Sequence, residues 1–225
     1  MNRRFVLIAA PLLLALTAAA PAKRRAPPPP PPIADHVTIN LVTTLGTIQI
    51  ELDHKHAPLT TENILRYVDQ RRLDNSSFYR SMRLAWGTPP NGLIQGGVQM
   101  DRKRTLTPVA HEPTTQTGLK HKAGAVSLAR NAPGTGMAEF SILLSDLESL
   151  DADPKGTTPD AQAGFAVFGK VTSGMDVVRK IWDSPLSATK GQGSMKGSMI
   201  DVPVKILTVR RAAVAPVPPP SLPKP

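Results

Sequence analysis

The chain has 225 residues, of which 40% are hydrophobic and 4% aromatic, and this is enough for one domain with a full core. It contains no cysteine, which excludes disulfides, thiolate nucleophiles and cysteine-based metal sites. The formal net charge is +10, but the basic residues are spread along the chain, so we expect no nucleic-acid partner.

The first 22 residues have the pattern of a secretory signal peptide. Arg3 and Arg4 supply positive charge, residues 5–20 are apolar, and Ala20 and Ala22 match the small-residue cleavage pattern. The apolar run is shorter than the roughly 20 residues that a membrane-spanning helix needs. We therefore expect cleavage after residue 22 and a periplasmic location. The alternative is an uncleaved N-terminal membrane anchor.

Proline-rich segments flank the part of the chain that we expect to fold. Residues 23–34 begin with basic side chains and contain six consecutive prolines, and residues 213–225 form a second proline-rich tail. Consecutive prolines keep the backbone extended and supply no amide donors, so both segments are expected to be stiff linkers. This leaves one folded domain at residues 35–212.

The folded part begins with a predicted hairpin followed by a predicted helix. Residues 37–42 and 47–52 alternate apolar and polar side chains, which is the period of half-buried strands. Pro58 then opens a helix, and Thr60 and Thr61 offer hydroxyls that we expect to cap it.

The rest of the chain predicts short strands and one further helix. A pattern of helical spacing runs from Met175 to Trp182, after β-rich runs at 93–95, 125–128, 140–144 and 165–167. A final strand is predicted at residues 202–209, where Pro203 indicates an edge position. Two helices far apart in sequence, among many short strands, favour a mainly β fold: an antiparallel barrel capped by two α-helices.

Short sequence blocks follow one another in a fixed order along residues 37–210. After the opening hairpin they are APLTTEN at 57–63, FYR at 78–80, LIQGG at 93–97, GAVSLAR at 124–130 and FAVFGKV at 165–171. As a set, these blocks resemble the cyclophilin family. The resemblance implies a closed, antiparallel, eight-stranded barrel and peptidyl-prolyl cis-trans isomerase activity, with no cofactor and no metal.

The implied chemistry suits the residues present. Rotation about an Xaa-Pro bond faces a barrier of roughly 18–20 kcal/mol from amide resonance. An enzyme lowers it by binding the twisted amide better than the planar forms, which takes a cationic donor and an apolar cup for the proline ring. On the family pattern, Arg80 is the catalytic arginine and Gln95 orients it. The implied substrate-binding residues are Phe78, Leu93, Ala129, Arg130, Glu139, Leu150 and Phe165.

Several pocket positions depart from the family pattern. Gly92 and Ser141 stand where the family has phenylalanines that line the proline cup, and Ser149 replaces an aromatic residue of the rim. The segment between the two implied catalytic residues is about twice the length usual in the family. We expect Trp86, in this inserted loop, to fold back and refill the cup.

A further departure is electrostatic, since Glu139 replaces a glutamine. We expect its carboxylate to pair with Arg80 and so to orient or to quench the guanidinium. No metal site is expected, because His54 and His56 have no third ligand at a recognisable spacing.

These departures leave more than one function open. The first is a monomeric isomerase that assists the folding of exported proteins. The second is a weakly active or inactive chaperone or binding module for segments that contain proline. The third is a structural adaptor tethered by its proline-rich tails. In the first two, the partners are proline-containing polypeptides.

Overall fold

Eight antiparallel strands form a closed barrel in the computed structural model, which describes residues 32–213. The strands are β1 (His36–Thr43), β2 (Gly46–Asp53), β3 (Ser76–Arg83), β4 (Gly92–Gly97), β5 (Ala125–Leu128), β6 (Phe140–Leu143), β7 (Ala166–Ser173) and β8 (Met199–Arg211). Their order around the barrel is β1-β2-β7-β5-β6-β4-β3-β8, and β8 pairs with β1 to close it. The predicted mainly β barrel is confirmed.

Both predicted helices are present, together with shorter helical segments that the sequence did not predict. The helices are α1 (Pro58–Asp69), α2 (Thr114–Thr117), α3 (Pro159–Ala163) and α4 (Met175–Trp182), and 3₁₀ turns lie at Glu148–Leu150 and Gly193–Met195. Helix α1 packs against β7 and β8, while α4 packs against β2, β3 and β4. The two longer helices thus cover the barrel as expected.

The barrel core is made of regularly alternating aliphatic side chains. In the hairpin of β1 and β2, Ile39 lies directly opposite Ile50 and Leu41 directly opposite Ile48, and all four are buried. Burying one such side chain stabilises the fold by about 1.5–3 kcal/mol. The same alternation along the other strands leaves the opposite faces free to carry polar groups.

The start of α1 is capped from a distant loop, so the predicted threonine caps were wrong. The carboxylate of Glu112, which is 1% exposed, accepts hydrogen bonds from the amides of Leu59 (3.1 Å) and Thr60 (2.7 Å). The Thr60 hydroxyl also donates to it, at 2.6 Å. Because the first amides of a helix have no intrahelical partner, a buried carboxylate is a strong cap.

Pro203 lies in β8, which has a neighbour on each side, so the predicted edge position was wrong. The pairing of β8 with β3 shifts register between the pairs Phe78–Val204 and Arg80–Met199, and Pro203 falls in this irregular stretch. A proline cannot donate to a regular ladder, and a bulge removes the need for that donor.

The predicted signal peptide at residues 1–22 lies outside the described residues. So do nearly all of the predicted proline-rich segments at 23–34 and 213–225. Between residues 32 and 213, none of the helices has the length and apolar character needed to cross a bilayer.

Candidate active site

An irregularity in β3 decides where three consecutive side chains point. Phe78 lies opposite Gly96 of β4 and Arg80 lies opposite Gln95, so Tyr79 is an extra residue between the two pairs. In a regular strand, residues 78 and 80 would share a face. The bulge instead leaves Phe78 in the core and brings both Tyr79 and Arg80 to the wall of a pocket.

This pocket has a volume of about 380 Å³. The structure brings together in its lining eight of the nine site residues that the sequence indicated: Arg80, Leu93, Gln95, Ala129, Arg130, Glu139, Leu150 and Phe165. The ninth, Phe78, is fully buried and packs edge-on against Phe140 with 5.7 Å between ring centroids. The bulge turns its side chain into the core, so Phe78 lies outside the pocket lining, and its contact with substrate stays a prediction.

Arg80 is held against the pocket wall by hydrogen bonds on two sides. Its Nε donates to the Ser198 hydroxyl at 3.0 Å, and a terminal nitrogen donates to Gln95 Oε1 at 3.1 Å. Since the guanidinium is planar, these two anchors fix the direction in which its other donors point. Burial lowers the pKa of Arg80, but a guanidinium stays cationic at neutral pH.

Glu139 reaches Arg80 only through other side chains, so the expected direct pairing was wrong. The Tyr79 hydroxyl donates to Glu139 Oε2 at 2.6 Å and accepts from Gln95 Nε2 at 3.0 Å. Burial raises the pKa of Glu139. Burial, and then the negative charge of Glu139, also raise the pKa of Tyr79.

The apolar part of the lining contains methionines that the sequence did not single out. Met82, Met100, Met137 and Met195 line the pocket beside the predicted Leu93, Leu150 and Phe165. Met82 lies directly opposite Leu93 on the neighbouring strand. Methionine is unbranched and polarisable, so it fills irregular apolar space. The predicted filler, Trp86, is 61% exposed and lies outside the lining, so that expectation was wrong.

The pocket has lost fewer aromatic side chains, relative to the family pattern, than the sequence indicated. Gly92 lies outside the lining, at the start of β4 opposite Arg83, with φ of +144°, and a Cβ there would collide with the carbonyl oxygen of Met82. It is therefore a backbone requirement and not a lost wall residue. Ser141 does line the pocket, while Ser149 is exposed and lies outside the lining.

A stacked pair forms one side of the pocket. The Arg130 guanidinium lies 4.6 Å from the centre of the Phe165 ring, and its Nε donates to the Gly164 carbonyl at 3.1 Å. A terminal nitrogen of Arg130 donates to Asp160 at 2.8 Å. These contacts hold Phe165 and Arg130 as one rigid surface.

A buried polar chain supports the pocket from behind. His121 is fully buried, with Nδ1 at 2.7 Å from Asp151 Oδ1 and Nε2 at 2.9 Å from the hydroxyl of Ser127, which lines the pocket. Burial lowers the pKa of His121, which favours the neutral imidazole, and its Nδ1–H then donates to Asp151. Because Ser127 is only 3% exposed, its hydroxyl supports the wall instead of acting as an accessible nucleophile.

Comparisons with known proteins give the family. The family model for cyclophilin type peptidyl-prolyl cis-trans isomerase/CLD matches residues 37–210. The chain belongs to this family of isomerases. An Acinetobacter baylyi peptidyl-prolyl cis-trans isomerase is 35% identical over 176 residues, covering 76% of this chain and 84% of the relative. The cyp18 isomerase of Streptomyces antibioticus is 36% identical over 183 residues, covering 79% and 98%.

Solved structures show the same fold at lower sequence identity. A cyclophilin type isomerase from Cryptosporidium parvum superposes with a TM-score of 0.61 at 18% identity, covering 80% of this chain and 99% of that one. The sequence blocks had indicated this family, but the site residues predicted from them did not include Tyr79 or the four methionines of the lining. Tyr79 was detectable in principle, since it stands directly before Arg80 where the family pattern has histidine.

Proposed function

We propose that this isomerase binds Xaa-Pro segments of exported polypeptides in the pocket beside Arg80 and promotes rotation about the Xaa-Pro bond there. The observation that carries the proposal is the anchored guanidinium on the wall of a pocket whose remaining lining is largely apolar. A covalent intermediate is not needed, because rotation breaks no σ bond and the barrier comes from amide resonance.

The role of Arg80 follows from the electronic structure of the twisted amide. As the bond twists, the nitrogen lone pair localises and becomes a hydrogen-bond acceptor that neither planar form offers. A fixed cationic donor therefore binds the transition state better than the ground states, which is the condition for catalysis. Gln95 and Ser198 hold the donor in place, so little reorganisation is needed during the reaction.

The apolar residues of the lining supply the cup for the proline ring. Met82, Leu93 and Phe165 offer thioether, aliphatic and aromatic surfaces to a pyrrolidine ring. Burying such a ring excludes water from the amide and strengthens its interaction with the guanidinium. A related Cryptosporidium parvum cyclophilin, 19% identical to this chain, was solved in the presence of the dipeptide Ala-Pro, which fits a site of this kind.

The role in export rests on the N-terminal segment. Residues 1–22 combine a basic start, an apolar run and a small-residue cleavage pattern, which supports delivery of the mature protein to the periplasm. Mass spectrometry of the protein from a periplasmic extract tests this. A mature chain that starts at Lys23 is expected, and an intact N-terminus in the cytoplasmic fraction would contradict it.

A second function, a binding module without useful catalysis, is favoured by Ser141. This small polar residue lines the pocket where the family pattern has phenylalanine, and the change reduces the apolar surface offered to proline. Such a module would still bind proline-containing segments through the remaining apolar lining and would work as a chaperone.

One experiment separates the two functions. Exchange NMR on an Ala-Pro tetrapeptide measures isomerisation by the mature protein, by Arg80→Ala and by the matched control Arg83→Ala, whose guanidinium donates outside the pocket to the Trp182 and Ser184 carbonyls. We expect Arg80→Ala to lower kcat/KM by about 100-fold, the effect typical of losing a transition-state donor, and Arg83→Ala to leave it unchanged. Tight peptide binding without exchange by the unmodified protein would establish the binding module instead.

A further inference from the structure

Glu139 contacts two separate parts of the pocket through its two carboxylate oxygens. Oε2 accepts from the Tyr79 hydroxyl, and Oε1 accepts from the amide of Met100. We infer that Glu139 and Tyr79 are positioning residues that together set the direction of the Gln95 amide, and through it the guanidinium of Arg80, while Glu139 also holds the turn that carries Met100. The inference rests on the proposed role of Arg80.

The direction of the hydrogen bonds carries the first half of the inference. An ionised carboxylate can only accept, so Tyr79 must donate to Glu139 and is left with a lone pair. That lone pair accepts from the amide nitrogen of Gln95, which leaves the amide oxygen to face Arg80. If Tyr79 instead donated to Gln95, the amide nitrogen would face the guanidinium, donor against donor. The acceptor at Glu139 thus excludes the wrong orientation of Gln95.

The strained turn beside Glu139 carries the second half. Gln99 and Met100 both have left-handed backbones, with φ of +53° and +58°, which side-chain-bearing residues rarely adopt. The Met100 amide donates to Glu139 Oε1 at 3.3 Å, and the amides of Val98 and Gln99 also interact with the carboxylate. Convergence of consecutive amides on one anion compensates for such strain. The turn in turn places Met100 in the pocket lining.

The carboxylate of Glu139 lies against Gly97, which leaves room for it. The φ of Gly97 is +147°, and a Cβ at this position would lie 2.5 Å from Glu139 Oε2 and 2.7 Å from its Cδ. A side chain at residue 97 would therefore displace the carboxylate from both sets of partners. The second glycine of the LIQGG block makes room for Glu139.

The same geometry predicts a pH dependence. The groups that face Glu139 are the Tyr79 hydroxyl from β3 and the backbone amides of residues 98–100, and the Tyr67 hydroxyl of α1 also senses its charge. Burial raises the pKa of Glu139, so protonation begins at higher pH than for an exposed carboxyl group. A protonated Glu139 gains a hydrogen-bond donor, so it no longer fixes the direction of the hydrogen bonds that run through Tyr79 and Gln95 to Arg80. Activity should therefore fall on the acid side as pH drops through this pKa.

The test compares Glu139→Gln and Tyr79→Phe with the control Glu112→Gln, which also replaces a buried carboxylate that accepts backbone amides, but one that lies outside the pocket lining. We expect each of the first two to lower kcat by about tenfold, the equivalent of one strong hydrogen bond, with KM within about twofold. The kcat of the double variant should be no lower than that of either single variant, because both substitutions break the same series of hydrogen bonds. Glu139→Gln should also lose the acid limb of the pH profile, and Glu112→Gln should keep both kcat and the profile.

An NMR measurement keeps this test separate from that of Arg80 itself. The Nε–H signal of Arg80 and the amide protection of residues 98–100 report positioning without any need for turnover. We expect both to change in Glu139→Gln. If Arg80→Ala abolishes catalysis while Glu139→Gln and Tyr79→Phe keep wild-type kcat, pH profile and NMR signals, the positioning role is overturned and the proposed function stands. If Arg80→Ala is fully active, the proposed function fails, and the NMR signals still decide the positioning role.

Discussion

The barrel core and the pocket wall are built from the same strands by different means. Core residues such as Ile94 and Ile142 alternate with wall residues such as Gln95 and Ser141, and they are buried by regular pairing of β4 with β6. The wall depends on departures from that regularity, namely the bulge at Tyr79, the left-handed turn near residue 100 and directed hydrogen bonds. Regular burial stabilises the barrel, and the irregular features orient the groups that act on a substrate.

The largest expected effect comes from a core residue that adjoins the site in sequence. Phe78→Ala should lower the free energy of unfolding by about 3–5 kcal/mol, because it leaves a cavity against Phe140. Urea denaturation measures this. The conservative variant Phe78→Leu should stay folded with KM unchanged, and a large rise in its KM would show that residue 78 contacts substrate after all.

The buried cap of α1 should give the next largest effect. Glu112→Ala leaves the amides of Leu59 and Thr60 without their acceptor, so we expect a loss of about 1–3 kcal/mol in the free energy of unfolding. The helix lies away from the pocket, so kcat/KM at 25 °C should be unchanged. A stability equal to that of the unmodified protein would mean that water replaces the carboxylate at no cost.

His121 should make stability depend on pH. Burial lowers its pKa in the folded state, so between that pKa and the ordinary value of about 6.5 only the unfolded chain binds the proton. The free energy of unfolding should therefore fall as pH drops below about 6.5, by at most about 1.4 kcal/mol per pH unit for one proton. Denaturation at several pH values, compared with His121→Gln, isolates the effect. If the free energy of unfolding changed equally with pH in both proteins, the pH dependence would belong to other groups.

The smallest expected effect tests the methionine lining. Met82→Ala should raise KM about threefold to tenfold through lost apolar contact, with kcat nearly unchanged, since uniform binding is removed. Met175→Ala is the matched control, because Met175 packs against the core and lies outside the pocket lining. Equal KM values for the two variants would show that Met82 does not contact substrate.

The sequence predicted the regular parts of the barrel better than the irregular pocket wall. Alternation located the hairpin of β1 and β2, and helical spacing located α1 and α4, because these patterns depend on local periodicity. The family blocks located Arg80 and Gln95. They could not reveal the hydrogen bond from Tyr79 to Glu139, because the two residues are 60 positions apart in the sequence. Both residues differ from the family pattern, and neither difference by itself indicates the other.

Other features escaped prediction for related reasons. The Glu112 cap acts across 52 residues, so no local pattern at the start of α1 could indicate it. The sequence made Gly92 look like the loss of a pocket phenylalanine, because a sequence pattern does not reveal the backbone angle that requires glycine there. The methionines reach the pocket from β3, from the turn at residue 100, from the loop at residue 137 and from the 3₁₀ turn at Gly193–Met195, whose positions depend on the completed barrel.

The most direct test of the account is a paired measurement of kcat/KM and unfolding free energy for Arg80→Ala and Phe78→Ala, which lie on either side of the bulge. We predict that Arg80→Ala loses about 100-fold in kcat/KM while its free energy of unfolding stays within about 1.5 kcal/mol of that of the unmodified protein, and that Phe78→Ala loses chiefly stability. Retention of full activity by a folded Arg80→Ala protein would contradict the account.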